Sequence, residues 1–153
     1  MITDRFNGYN CANIGTVITV MGRGLSPLQK RILELAYKNR MDYNDGKIKH
    51  SPGVDFTDLN YKDVMTDYYG FKQNGAHYGQ VFSMAEIGEK RYRAANVAIS
   101  RAVTRLGKRG LVIPMCGACA RWSGCNLTDE GLELAKTILP SSTETLLNSK
   151  ISD

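Results

Sequence analysis

Residues 89–128 read EKRYRAANVAISRAVTRLGKRGLVIPMCGACARWSGCNLT, and the fold turns on how this stretch is understood. Ala95, Ile99, Ala102, Val103 and Leu106 recur at one-turn spacing and make a continuous apolar face, which predicts a helix over residues 89–108. Gly110 suits the left-handed position just past its end, and basic residues fill the last turn, where the helix dipole favours them. LVIPM (111–115) reads as a strand, CGACARWSGC (116–125) as a loop, and NLT as the return to a second strand. Thr128 then caps a further helix whose first turn holds Asp129 and Glu130, with Pro140 as its stop.

The same stretch carries most of the charge. Lys90, Arg91, Arg93, Arg101, Arg105, Lys108 and Arg109 follow one another without an acidic residue between Lys90 and Gly110. The whole chain has a formal net charge of +5, so the remaining residues sum to about −2 and the basicity is local. A local basic face suits a polyanion, nucleic acid above all. On a helical wheel the side opposite the apolar face carries Lys90, Arg93, Val97, Ser100, Arg101 and Thr104, with Asn96 on the flank. These groups fit a major groove: Arg93 for guanine, Asn96 for adenine, Val97 for a thymine methyl. Ser100, Arg101, Thr104, Arg105, Lys108 and Arg109 sit further along, where phosphate contact is expected.

Working outward, Ser26, Pro27 and Gln29 have the spacing of a capping box with proline in the first turn. They open a helix that fades near Met41, with Leu28, Ile32, Leu35 and Ala36 as its buried stripe. Residues 42–57 are rich in Asn, Asp, Gly, Pro and Lys and read as a loop. Asn60 caps a short second helix that Gly70 ends. Residues 71–88 are irregular until Ser83 and Glu86, a second capping-box spacing, where the third helix is expected to begin before bending at Gly88. The order is helix, helix, basic helix, hairpin, helix. It predicts an α+β, mainly α fold: a winged helix-turn-helix with a two-stranded β wing and flanking N- and C-terminal segments. Residues 26–139 form the DNA-binding domain. Residues 1–25, with the apolar run from Ile14 to Val20, are expected to be an arm or strand for contact with a partner subunit. Residues 140–153 are expected to be a polar tail.

The run AISRAVTRLGKRGLV followed by LTDEGLELAK resembles the winged-helix regulators of the MarR-like type. Ser100, Arg101, Arg105, Leu106, Arg109, Gly110, Leu111 and Val112 match the end of that family's recognition helix and its first wing strand. Leu127, Thr128 and Gly131 match the helix after the wing. The resemblance spans about residues 95–136 and implies the DNA-binding domain. Two departures accompany it: residues 71–88 separate the second helix from the basic one, where a compact helix-turn-helix uses a turn of about 3–4 residues, and the family's long terminal dimerisation helices are not evident. The ligand pocket of the family is therefore not carried over.

Cys116, Cys119 and Cys125 fall in the wing and admit three readings: plain reduced thiols, a zinc site completed by Cys11, His50 or His77, or a redox switch. No cofactor is otherwise expected. Arg121 suits a wing tip entering a minor groove, and Trp122 suits packing of the hairpin on the core. With 153 residues the chain makes one ordinary domain burying roughly two-thirds of its unfolded surface. No apolar run approaches the ~20 residues that span a bilayer, so the expectation is a cytoplasmic or nucleoid-bound protein without membrane contact. His50 and His77 are the only candidate general bases, with no supporting motif, so no enzyme is expected. The expected partners are double-stranded DNA and a second copy of the chain, with no effector indicated. The expected activity is transcription regulation, a repressor binding a near-palindromic operator as a homodimer. The alternative is a DNA-binding replication or maintenance protein of a plasmid, phage or transposon.

Overall fold

The computed structural model describes residues 24–48, 57–75, 81–116 and 123–148, of which 140–148 by backbone alone. Within them the chain is α+β and mainly helical. Helix α1 (Pro27–Asn44) leads to a two-residue strand β1 (Leu59–Asn60) and helix α2 (Tyr61–Asp67). A single turn α3 (Met84–Ile87) precedes the basic helix α4 (Glu89–Lys108). Strands β2 (Val112–Cys116) and β3 (Ser123–Leu127) then lead to helix α5 (Asp129–Asn148). The three strands form one antiparallel sheet in the order β1-β3-β2.

Local chemistry accounts for the helix boundaries. The capping box at α1 is complete: the Gln29 amide donates to Ser26 Oγ at 3.3 Å and the Ser26 amide to Gln29 Oε1 at 3.0 Å. Asn60 and Asp63 repeat the device at α2. Ser83 does not; it precedes α3 without a side-chain cap bond, and the turn ends at Gly88 with φ 83°, a left-handed bend open to glycine. At the other end of α4, the Leu111 amide donates to the Leu106 carbonyl at 3.1 Å and that of Gly110 to the Gly107 carbonyl at 2.9 Å. With Gly110 at φ 71° and both leucines buried, this is a Schellman stop.

The RGLV and LT segments, far apart in sequence, are one contact. Thr128 Oγ1 donates to the Gly110 carbonyl at 2.6 Å while accepting from the Gly131 amide at 3.1 Å. One hydroxyl thus caps α5 and fastens it to the end of α4.

The core forms where α4, α1 and the sheet meet. All five residues of the expected α4 face, Ala95, Ile99, Ala102, Val103 and Leu106, are buried. The stripe on α1 is turned slightly from expectation: Gln29, Ile32, Leu33 and Ala36 are buried, while Leu28 and Leu35 are only partly so. Leu33 faces the centre because α1 packs against the sheet as well as against α5.

Four further expectations are corrected. The sheet has a third strand, β1, since Leu59 and Asn60 pair with Cys125 and Gly124 of β3 in the last two residues before α2. The return strand starts at Ser123, ahead of NLT, because Ser123 to Leu127 pair residue by residue with Cys116 to Val112. Helix α1 continues to Asn44, beyond the expected end near Met41. Helix α5 runs past Pro140 to Asn148, so residues 140–148 are not simply a tail. A proline inside a helix removes one hydrogen bond and crowds the carbonyl four residues before it, which disfavours the helix locally without preventing the residues beyond it from staying helical. The expected arm at residues 1–25 lies outside the described residues except for Gly24 and Leu25.

A buried ionic knot holds α1 to the sheet. Asp58 is 1 % exposed. Arg40 Nε donates to Asp58 Oδ1 at 2.9 Å and its Nη2 to Oδ2 and, at 3.0 Å, to the Leu127 carbonyl. The Leu127 amide donates to Asp58 Oδ2 at 2.6 Å, and the Asp58 amide to Asn126 Oδ1 at 2.8 Å. Asn39 Nδ2 closes the set on the Asp58 carbonyl at 2.9 Å. Every polar group that burial strips of water here has a partner, as a buried charge requires.

Candidate nucleic-acid interface

Helix α4 is the centre of the candidate site because its two faces differ completely. The inner face is fixed in the core. On the outer side Lys90, Arg91, Arg93, Asn96, Val97, Ser100, Arg101, Thr104, Arg105 and Lys108 are all exposed, and Val97 is 48 % exposed although it is apolar. An isolated exposed valine is ordinary; this one lies on the helix side that also exposes Arg93 and Arg101.

The outer residues are not equivalent. Arg93 forms an ion pair with Glu89 one turn earlier, both well exposed. The Arg91 guanidinium lies 5.1 Å from the centre of the Phe71 ring, a cation–π contact that turns it toward the segment before the helix. Ser100 hydrogen-bonds Tyr61 of α2, whose phenol burial pushes above the usual tyrosine range. Thr104 Oγ1 donates back to the Ser100 carbonyl at 2.9 Å. Lys90, Arg101, Arg105 and Lys108 have no ion-pair partner among the described residues. Arg109 is partly buried at the helix end, its amide bonded to the Arg105 and Leu106 carbonyls. Most of the expected α4 residues thus lie on its exposed side, Arg91 being turned onto Phe71 and Arg109 partly buried, and the cations without an ion-pair partner among the described residues are concentrated in its second half.

The hairpin separates the cysteines. Cys125 on β3 is fully buried opposite Pro114, and burial pushes its thiol up to about 12. Cys116 on β2 is exposed. A zinc ligand must be a thiolate, and the surroundings of Cys125 oppose that form. Among the described residues no three His, Cys, Asp or Glu side chains gather as a metal would need. Cys119, Arg121 and Trp122 in the loop, and Cys11, His50 and His77 elsewhere, lie outside the described residues.

Two features escaped the sequence reading. One is the Arg40–Asp58 knot. Its signal was present: Arg40 continues the stripe Ile32, Leu33, Ala36 by one more turn, and a charge in a core stripe demands a buried partner. The other is Tyr61, which links α2 to the outer face of α4 through Ser100 and carries no sequence mark.

Elsewhere, an open groove of about 260 Å³ beside α1 and Leu139 is lined by charges of both signs and contains none of the expected site residues. Among the described residues no helix is long and apolar enough to cross a membrane. Comparison with protein-family models, with curated proteins and with solved structures finds no match to the chain.

Proposed function

We propose that the protein is a sequence-specific DNA-binding regulator of transcription, a repressor acting as a homodimer on a near-palindromic site, and that its fold is a winged helix. The observation that carries the reading is the division of α4 into a core-locked apolar face and an exposed cationic face. The element order α1, β1, α2, α4, β2, β3 supports it, with β1 closing the sheet on the hairpin.

Physically, a helix of this length is about 30 Å long and fits a major groove about 12 Å wide. The groove is walled by phosphates, and cations without internal partners lose no ion pair on meeting them. Arg101, Arg105 and Lys108 are such groups and hold the helix on the backbone. Arg93 gives up only an exposed pair with Glu89, which contributes roughly 0–1 kcal/mol, for a bidentate contact with guanine. Asn96 and Val97, on the same outer surface, complete the base-reading set. The β2–β3 hairpin lies against the flanking backbone. A dimer placing two such helices about 34 Å apart would read two half-sites.

The test is a pair of variants in a binding assay against a selected operator and a random duplex. Arg93→Ala reduces discrimination between the two by roughly 1–3 kcal/mol, and Lys108→Ala weakens both alike. Equal losses from the two changes count against base readout by α4. In cells, deletion raises transcription of a neighbouring gene; unchanged transcription with loss of an episome points instead to replication or maintenance.

A further inference from the structure

We propose that Glu89 determines sequence specificity: its carboxylate accepts from the N4 amino group of a cytosine in the major groove, one or two base pairs from the guanine that Arg93 takes. This role rests on the DNA-binding reading of α4 and names a further element of the sequence that the helix selects.

Glu89 is the only acidic residue of α4. The start of the helix fixes its place. Gly88 turns the chain at φ 83°, and the Tyr92 amide donates to the Gly88 carbonyl at 3.0 Å, so Glu89 opens the first turn. Glu89, Arg93, Asn96 and Ser100 then follow at i, i+4, i+7 and i+11 and make one row along the helix. All four are exposed. A carboxylate in the first turn also complements the helix dipole, and its pair with Arg93 steadies the helix slightly. The dipole would be served equally from other positions in that turn. What is particular to Glu89 is that it stands in line with Arg93 and Asn96, the side chains suited to base edges.

The ion pair supplies the second part of the argument. Arg93 Nη2 meets Glu89 Oε1, with side chains 75 % and 67 % exposed. When Arg93 turns to guanine, it leaves that carboxylate on the DNA-facing side without its cation and with less water around it. A carboxylate only accepts hydrogen bonds, and phosphates wall the groove, so it must meet a donor on a base edge or weaken the complex. Guanine and thymine present acceptors there. Adenine sets its N6 amino group beside the N7 acceptor, which repels a carboxylate. Cytosine presents N4 with no acceptor beside it, and is the base that fits. Four residues advance the helix by about 6 Å and successive base pairs by about 3.4 Å, which sets the spacing of one or two steps. Glu89 thus accepts a second G·C pair, oriented with its cytosine toward the helix, and repels the other bases at that position.

The experiment passes the full chain over a pool of duplexes with a randomised centre and sequences the bound fraction, for wild type, Glu89→Gln, Glu89→Ala and Arg93→Ala. Wild type enriches a guanine and, one or two pairs away, a cytosine favoured about tenfold over the other bases. A glutamine pairs with adenine N6 and N7, so Glu89→Gln moves that preference from cytosine to adenine and keeps the guanine. Glu89→Ala abolishes the preference at the second pair and also keeps the guanine. Arg93→Ala loses the guanine. Cytosine enrichment that survives in both Glu89 variants, or is missing from a wild-type pool that does enrich the guanine, overturns the role of Glu89 and leaves readout by Arg93 standing. If Glu89→Ala loses the guanine as Arg93→Ala does, while the cytosine persists, Glu89 acts only as a strut for Arg93 and the base contact is wrong. A wild-type pool without any enriched sequence overturns both readings.

Discussion

Helices α1 and α4 both carry arginines and put them to opposite uses. On α1, Arg31 is bidentate to Asp67, at 2.7 and 2.8 Å, and reaches Glu34 at 3.0 Å. Arg40 is folded into the Asp58 knot. On α4, Arg101, Arg105 and Lys108 meet no acid among the described residues, and Arg93 meets only an exposed one. The distribution of carboxylates makes the difference, since α2 and the residues before β1 supply acids to α1, whereas among the described residues only Glu89 of α4 itself reaches a cation on its outer side. An arginine with an internal partner is part of the fold, whereas an exposed arginine without one contributes little to it and stays available to an external anion. The division can be tested from its strongest member down.

Asp58→Ala has the largest expected effect. It leaves the buried Leu127 amide without its acceptor and the partly buried Arg40 cation without its carboxylate, and costs about 3–5 kcal/mol. Chemical denaturation reads the loss as a lower midpoint with unchanged slope. A cost below ~1 kcal/mol would place Arg40 among the dispensable surface charges and dissolve the contrast.

Gly131→Ala comes next. A methyl group there would run into the Leu111 carbonyl where α5 joins the end of α4. Overpacking of this kind costs about 1–3 kcal/mol. The change touches no cation, so duplex binding by the folded fraction keeps its wild-type salt dependence.

Arg101→Ala and Arg105→Ala bear on the other side of the comparison. Each leaves stability within about 0.5 kcal/mol of wild type, while each lowers the salt slope of duplex binding by about 1. A large stability loss from either would mean that α4 uses its arginines as α1 does.

How legible this contrast was in the sequence depended on whether each signal was periodic or paired. The core face of α4 was readable in full because five apolar residues keep one-turn spacing over 20 residues without a competing pattern. The capping box at Ser26 and the cap at Asn60 were readable because each needs only near neighbours in sequence, although the Asp63 half of the Asn60 box was not read. Ser83 and Glu86 have the same spacing but no side-chain cap bond, for the helix there is one turn long and bends at Gly88. Strand β1 was invisible for a different reason. Its two residues double as the approach to α2, and what makes them a strand is Cys125 and Gly124, more than 60 positions away. For the cysteines, proximity in sequence said nothing of burial: strand pairing buries Cys125 and leaves Cys116 in solvent. The exposed cations of α4 were readable as a charge pattern, but that Arg91 turns onto Phe71 and Ser100 onto Tyr61 depends on tertiary neighbours the pattern does not contain.

The smallest effect lies at the Arg31–Asp67 pair, which should be both pH- and salt-sensitive. The hydrogen bonds from Arg31 hold the Asp67 carboxyl below the usual carboxylate range, against an opposing push from partial burial. Its folded pKa is therefore lower than its unfolded one, so the ionised form favours the folded state. That contribution is complete above the unfolded value near 4 and drains as the pH falls through the folded value. Because both side chains are substantially exposed, at 41 % and 33 %, screening limits it to about 0.2–1 kcal/mol. Wild type and Asp67→Asn should accordingly differ by that amount at pH 7 in low salt, converge as the pH approaches 2, and converge also in 1 M KCl. A gap that persists at pH 2 would assign the stabilisation to a neutral hydrogen bond instead of the charge. Arg31 would then belong, in its energetics, with the unpaired cations of α4 and not with Arg40.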